Sequence, residues 1–382
     1  MGSLKIMDLK TYLVGAQNRN WVFVKVLTDE GIEGIGEAYS VGPDEATVAV
    51  LQDFKTWLLG RDPREIEGLW HEMYNFSRFP GGSVVNSAIS GIEHALWDIL
   101  GKSLGAPVYR LLGGRCREKI RVYVHASGPT PSELSEACLL AAKRGFTAVK
   151  ISPFPPGSDC MPWNLVLKAS EDRMAAVRNA VGEGFDVAVD IHAKIFEPSR
   201  ATQLCKVLEP FRPLFLEEPL RPENANALAE VAKAVEAPIA TGEQLYTKYG
   251  FREILDKRAA DIIQPDICCA GGILECRKIA AMAEAYYVSV APHNPMGPVA
   301  TAVNVHLAAC THNFLILEYI PDEFPPRSEV LKKPIKLEKG YLRIPEEPGF
   351  GIELREEGIC KYPPKPWRRT PSYREDGSAA FL

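Results

Sequence analysis

No apolar run in these 382 residues reaches the length of a membrane span, and the opening MGSLKIMDLK contains no signal-peptide hydrophobic stretch. Ile6 stands where N-myristoylation needs Ser or Thr, so that anchor is not expected either. Cysteine pairing is also missing. The nine cysteines are an odd number, scattered apart from Cys268-Cys269, with no CxxC spacing. That argues against a cysteine zinc site and for reduced thiols in a cytoplasmic protein. No GxGxxG follows a strand into a helix, which argues against a Rossmann domain, and neither QPDICCAGGIL nor FPGGSVV continues into the Lys-Ser/Thr of a P-loop. Positive charge is not in excess: 44 Lys and Arg face 49 Asp and Glu, a net charge of −5. Neither nucleic acid nor a membrane is therefore an expected partner.

What is present is an ordinary globular composition, 46% hydrophobic and 24% charged, in two textures. WVFVKVLTDEGIEGIGEA (21–38) reads as a hairpin around Asp29-Glu30-Gly31, and helical stretches follow it up to the Gly113-Gly114 break. Residues 1–115 are accordingly expected to form an α+β domain. From residue 121 short β-branched runs alternate with amphipathic helices: RVYVHA, TAVKIS, VAVDIH, LFLEE, PIATGE, DIIQPD, VSVAPH and FLILEY. Eight such strands in about 200 residues fit an α/β barrel better than an open doubly wound sheet. The barrel is placed at 116–320, with the proline-rich 321–382 returning to the first domain.

Consecutive strands of this series end in ionisable groups: Asp190 with His192, Glu217-Glu218, Glu243, Asp266 and His293, with Glu318 ending the eighth. Asp190 to Glu217, Glu217 to Glu243 and Asp266 to His293 are 27, 26 and 27 residues apart. Asp190 and His192 are two residues apart in what reads as one strand, so they should share a face. In isolation each acid is more simply a helix cap or a surface charge. In a parallel barrel, however, the carboxyl ends of all strands meet at one mouth. Carboxylates converging there repel one another unless a cation or proton intervenes. Asp190, Glu217 and Glu243 form an oxygen-only set suited to Mg²⁺. His192 and His293 come from opposite sides of the mouth, and Asp266 is placed to orient His293. Lys150 reads equally as a contact for a substrate carboxylate or as a snorkelling strand-end lysine. His71, His94, His306 and His312 are expected to be structural, and His125 stays open.

DEGIEGIGEA, SAISGIEHALWDILGKSLGAPVYRLLGG, VDIH, FLEEP, TGE, QPD, APHNPMGP and WRRTPSYREDGS together resemble the enolase superfamily. The resemblance covers essentially the full length, in the mandelate-racemase-like subgroup, and is closest to the galactonate dehydratase branch. It implies a capping α+β domain over a (β/α)7β TIM-like barrel, with Mg²⁺ on Asp190, Glu217 and Glu243. It further implies a sugar-acid dehydratase acting on an aldonate such as galactonate. His293, paired with Asp266, would remove the proton α to the carboxylate, and His192 would assist departure of the β-hydroxyl. Glu318 would contact the substrate carboxylate, as would Glu243. Arg78 in NFSRFPGGS is a candidate substrate contact from the cap. A cytoplasmic homo-oligomer follows by analogy.

Two departures bear on the substrate. The branch follows its D-x-H with Gly-Arg where this chain has Ala193-Lys194, and it tends to place Asn where Ser152 stands. The K-x-K of racemases becomes Lys150-Ile151-Ser152, which removes the second lysine as a base. Two other readings compete: a racemase, epimerase or cycloisomerase using the same enediolate, and a non-catalytic sugar-acid binding protein.

Overall fold

The structure, a computed structural model, describes residues 4–16, 19–366 and 373–380. An antiparallel sheet opens the chain in the order β1 (Ile6–Gly15), β2 (Asn20–Thr28), β3 (Glu33–Ala38). Three helices follow: α1 (Asp44–Leu58), α2 (Ile66–Phe76) and α3 (Ser83–Ser103). The glycines of EGIGEA explain how α3 lies so close to β3. A Cβ on Gly36 would stand 2.0 Å from the Gly91 carbonyl oxygen, and one on Gly34 would stand 2.0 Å from that of Ala95.

After the short α4 (Val108–Leu111), eight parallel strands build the barrel. They are β4 (Lys119–His125), β5 (Ala148–Ile151), β6 (Asp186–Asp190), β7 (Leu216–Glu217), β8 (Ile239–Thr241), β9 (Ile262–Ile263), β10 (Ser289–Val290) and β11 (Leu317–Glu318). Neighbours pair in sequence order, β11 pairs back onto β4, and a Val290–Phe314 bridge joins the last two. The crossovers are α5 (Pro131–Lys143), α6 (Trp163–Val181), α7 (Pro198–Leu208), α8 (Ala225–Ala234), α9 (Thr247–Asp256), α10 (Gly272–Ala285) and α11 (Pro298–Cys310). Seven helices between eight strands make the expected (β/α)7β barrel with an α+β cap. Past the barrel, β12 (Leu337–Glu338) and β13 (Tyr341–Arg343) add an antiparallel edge to β4. The chain then meets the cap again, where Gly15 N–H donates to the Tyr362 carbonyl at 2.9 Å. Among the described residues no helix is long and apolar enough to cross a membrane.

The cap is joined to the barrel by buried carboxylates at helix starts. Glu37 on β3 accepts from the N–H groups of Gly297 and Ala300 at the start of α11, at 2.6 and 2.8 Å. Glu93 on α3 accepts from Ile273 and Leu274 at the start of α10, at 2.8 and 2.9 Å, and from Trp97 Nε1 at 2.7 Å. First-turn N–H groups lack partners within their own helix, so these acids satisfy donors the barrel cannot. Burial raises both carboxyls to about 7 against the opposing pull of those donors. His94 completes the seam, its Nε2 lying 3.0 Å from the Ile267 carbonyl, and burial pushes its pKa down to about 3. Glu93→Ala strands two buried N–H groups and an indole N–H. It is expected to cost about 3 kcal/mol, read as a lowered urea midpoint, with Glu93→Gln recovering part through its carbonyl oxygen.

Candidate active site

The barrel interior is layered by the two-residue period of its strands. An apolar floor takes one residue from each strand line: Tyr123, Ala148, Ala188, Phe215, Ala240, Ile262, Ala291 and Ile316. Two residues further on, the same inward direction carries His125, Lys150, Asp190, Glu217, Gly242, Gln264, His293 and Glu318. Apart from Gly242, a layer of polar and ionisable groups thus stands on an apolar plug, at the carboxyl end of the strands. Small alanines on four strands leave room there for the Tyr123 and Phe215 rings, which meet edge-on with centroids 6.2 Å apart.

Lys150 lies in the middle of this layer. Its ammonium is 3.0 Å from Glu217, 3.3 Å from Asp190 and 3.4 Å from Glu318. It is 3% exposed, which overturns the snorkelling alternative: the stem has no path to solvent, and three carboxylates hold the charge. Burial would lower its pKa, but Glu217, Glu318 and the other neighbours raise it well above the usual lysine value. Glu217 responds in the opposite sense. Burial and the charge of Asp190 push its carboxyl up to about 8 despite Lys150. For Glu318, burial is outweighed by Lys150, His293 and a hydrogen bond from His125, which hold it well below the ordinary range. It is therefore an ionised acceptor, with Asn294 N–H donating to its other oxygen at 2.9 Å.

His293 Nδ1 is 2.8 Å from Asp266 Oδ2, and its Nε2 faces Glu243 at 3.3 Å and Glu318 at 3.9 Å. Burial lowers its pKa, but Glu243, Glu318 and the Asp266 bond outweigh that and bring it to about 10. His192 departs from the sequence expectation in its local geometry. The strand ends at Asp190, and His192 and Ala193 adopt left-handed backbone, φ 60° and 52°. Strand alternation therefore does not aim this imidazole; the turn does. It still reaches Asp190, Nδ1 to Oδ2 at 3.5 Å, and that hydrogen bond raises its pKa. A cavity of about 490 Å³ lies here, lined by Tyr39, His192, Arg221, Glu243, Gln244 and Tyr246.

Arg78 is not brought to this cluster. It is exposed on the cap, its guanidinium 5.6 Å from the centre of the Phe79 ring. The structure also places groups that sequence reading left open or missed. His125 hydrogen-bonds Glu318, and the same two-residue step from Tyr123 that marks the other strands would have marked it. Tyr39 comes from the cap, its ring 6.1 Å from that of His293, and no local pattern announces it. Glu218, in left-handed backbone at φ 43°, accepts from Gln244 Nε2 at 2.6 Å, and burial raises its carboxyl well above normal.

Among the described residues no three His, Cys, Asp or Glu side chains converge into a ready-made metal cage. The donor chemistry nevertheless fits a hard cation. Asp190 Oδ1, Glu218 Oε1, the Tyr123 hydroxyl and both amide atoms of Gln264 are buried without a hydrogen-bond partner. Buried polar atoms in native proteins are rarely left so. Asp190, Glu217 and Glu243 add carboxylates in excess of the local cations, and all are oxygen donors.

Residues 5–113 match the mandelate racemase / muconate lactonizing enzyme N-terminal domain, and residues 133–358 match the enolase C-terminal domain-like family. The D-galactonate dehydratases of Variovorax paradoxus (strain S110) and Ralstonia pickettii (strain 12J) are each 37% identical, over 99% of this chain and 100% of theirs. A crystal structure of an enolase from Agrobacterium radiobacter, a putative galactarate dehydratase bound to Na and L-malate, superposes with a TM-score of 0.94. It is 40% identical and covers 99% of this chain and 100% of its own.

Proposed function

This chain belongs to the mandelate racemase / muconate lactonizing enzyme family of the enolase superfamily, and we propose that it dehydrates a sugar acid to a 2-keto-3-deoxy acid. It is an enzyme of the hydro-lyase kind, as its full-length relatives are. The curated relatives make an aldonate such as galactonate the first substrate to try. One observation carries the reaction type: a histidine–aspartate pair, His293 and Asp266, turns its free nitrogen into a carboxylate-rich layer, and a second histidine, His192, stands at the same mouth.

Asp190, Glu217 and Glu243 are the residues that would hold Mg²⁺. When bound, the ion supplies Lewis-acid stabilisation of the enediolate and, by offsetting Glu243, favours neutral His293. The chain's own groups do the rest. Asp266 accepts from Nδ1–H of His293, which fixes the tautomer and leaves Nε2 as the base. Nε2 takes the proton α to the carboxylate, and the C–H electron pair enters the carboxylate system as an enediolate. Lys150 adds a buried positive charge next to the developing negative charge. Collapse of the enediolate re-forms the carboxylate, makes the C2–C3 double bond and breaks the C3–O bond, with His192 delivering the proton that turns the departing hydroxyl into water. The enol then tautomerises to the 2-keto acid. Glu318, being ionised, contributes as an acceptor that positions His125 and Lys150, so any contact with a substrate carboxylate runs through those donors.

Nine unpaired cysteines fit a reducing, cytoplasmic setting for this chemistry. The test is a library of aldonic and aldaric acids incubated with the Mg²⁺-loaded protein and assayed for 2-keto acid with semicarbazide. At least one acid is expected to give product. Binding across the library with no product from any member would leave the sugar-acid binding protein as the better reading.

A further inference from the structure

Three imidazoles at the barrel mouth are anchored alike, each by one ring nitrogen on a carboxylate. His293 Nδ1 rests on Asp266 at 2.8 Å, His192 Nδ1 on Asp190 at 3.5 Å, and His125 Nε2 on Glu318 Oε1. The dehydration needs the first two as base and acid, and the third has no part in it so far. His125 ends β4 beside Lys150, its register partner on β5. Its side chain is 46% exposed, where that of Lys150 is 3% exposed. Among the described residues nothing bonds its Nδ1. The anchor itself is held firmly. Glu318 Oε2 accepts from Asn294 N–H at 2.9 Å, and Asn294 Nδ2 donates to the Glu318 carbonyl at 3.0 Å.

The charge that forms during the reaction needs donors at this point. His293 Nε2 takes the α-proton, so the adjoining substrate carboxylate lies close to that nitrogen, and Glu318 is 3.9 Å from it. Glu318 is ionised and only accepts, so a further carboxylate there depends on the donors flanking it, Lys150 and His125. Lys150 is already committed. Its ammonium faces the two oxygens of Glu217 at 3.0 and 3.1 Å, Asp190 at 3.3 Å and Glu318 at 3.4 Å. His125 keeps one nitrogen open. With both ring protons in place, Nε2–H holds Glu318 and Nδ1–H is left to donate. We propose that His125 is a further catalytic residue, donating Nδ1–H to the substrate carboxylate and stabilising the enediolate. No proton changes owner in this contact. The bond strengthens as charge reaches the carboxylate oxygen and relaxes when the enediolate collapses. Around His125 stand Glu318 on β11, Lys150 on β5, and Arg19, Arg144 and Arg327, which line with it a cavity of about 420 Å³. The inference rests on the dehydratase reading and adds a residue to it.

His125→Phe keeps a ring at this half-exposed position and removes both nitrogens. In the Mg²⁺-loaded enzyme it is expected to lower kcat about 100-fold, as the loss of one oxyanion donor does, with KM within about 3-fold. Exchange of the substrate α-proton in D₂O should fall by the same factor, because enediolate formation itself has lost its support. His125→Gln, an uncharged donor, should fall between. His125→Gly with added imidazole separates chemistry from packing, since the adjoining cavity admits the small ring. The rate should recover about 10-fold, and the recovery should fade as rising pH takes the second proton from the added imidazole. A kcat for His125→Phe within about 3-fold of the wild type, or a change confined to KM, overturns the proposal. Recovery that ignores pH assigns the ring to packing and overturns it too. A wild type that neither dehydrates any acid of the library nor exchanges its α-proton brings down the dehydratase reading and this inference together. Turnover that His125→Phe leaves intact removes this inference alone.

Discussion

His293→Asn is expected to lower dehydration by about 10⁴-fold, at the upper end of what a positioned acid or base contributes. Asparagine keeps a side-chain amide that can still donate to Asp266, so the 2.8 Å anchor has a replacement and the site need not rearrange. What disappears is the ring nitrogen that faces Glu243 and Glu318. The lysine of the layer is no substitute, since Lys150 is held as an ammonium by its carboxylate neighbours, and Ser152 follows it where racemases carry a second lysine. Exchange of the substrate α-proton with D₂O should vanish together with turnover. Retained exchange would assign the base to another residue. His192→Asn separates the two histidines: it should slow product formation while exchange of the α-proton persists, because the base is intact and only the departing hydroxyl has lost its proton donor.

Glu217→Gln should remove Mg²⁺ binding and about 10³-fold of kcat/KM, the several kcal/mol that Lewis-acid stabilisation supplies. The same substitution should leave the metal-free fold at least as stable as the wild type. In the metal-free layer the Glu217 carboxyl is raised to about 8 by burial and by Asp190, so ionising it near neutral pH opposes folding. The sign follows from the direction of that shift. A carboxyl whose folded pKa lies above its unfolded one destabilises the fold as pH rises from about 4.5 to about 8, and glutamine removes that dependence. Thermal unfolding with and without Mg²⁺ reads both effects. The wild type should gain stability with the ion by mass action, and Glu217→Gln should not. A variant that still shifts with Mg²⁺ as the wild type does would take Glu217 out of the metal set.

How much of this was legible beforehand follows from which periodicity carried each residue. Alternation of β-branched runs with helices announced the barrel, and a hairpin followed by helical stretches announced the α+β first domain. Asp190, Glu217, His293 and Glu318 stand out in the bare sequence because ionisable groups end successive strand-like runs, and the two-residue period explains why the structure gathers them in one inward layer. Where the backbone turns left-handed the rule stops. His192 lies in left-handed backbone, and only the turn decides where it points. Lys150 shows the other limit. Its place in the layer follows from the period, but its burial follows from the carboxylates on β6, β7 and β11, which are far away in sequence. Tyr39 comes from the cap, and its approach to His293 depends on the seam that Glu37 and Glu93 hold together. Arg78, chosen for being cationic in a cap loop, sits instead against Phe79 in solvent.

The central claim is that an α-proton is removed and a β-hydroxyl then lost in one site. Proton NMR of the Mg²⁺-loaded enzyme with a sugar acid in D₂O tests it directly. The account predicts a 2-keto-3-deoxy acid carrying solvent deuterium at C3, placed there as the enol tautomerises. Deuterium at C2 of recovered or epimerised substrate, with no keto acid formed, would contradict it and make the chain a racemase or epimerase.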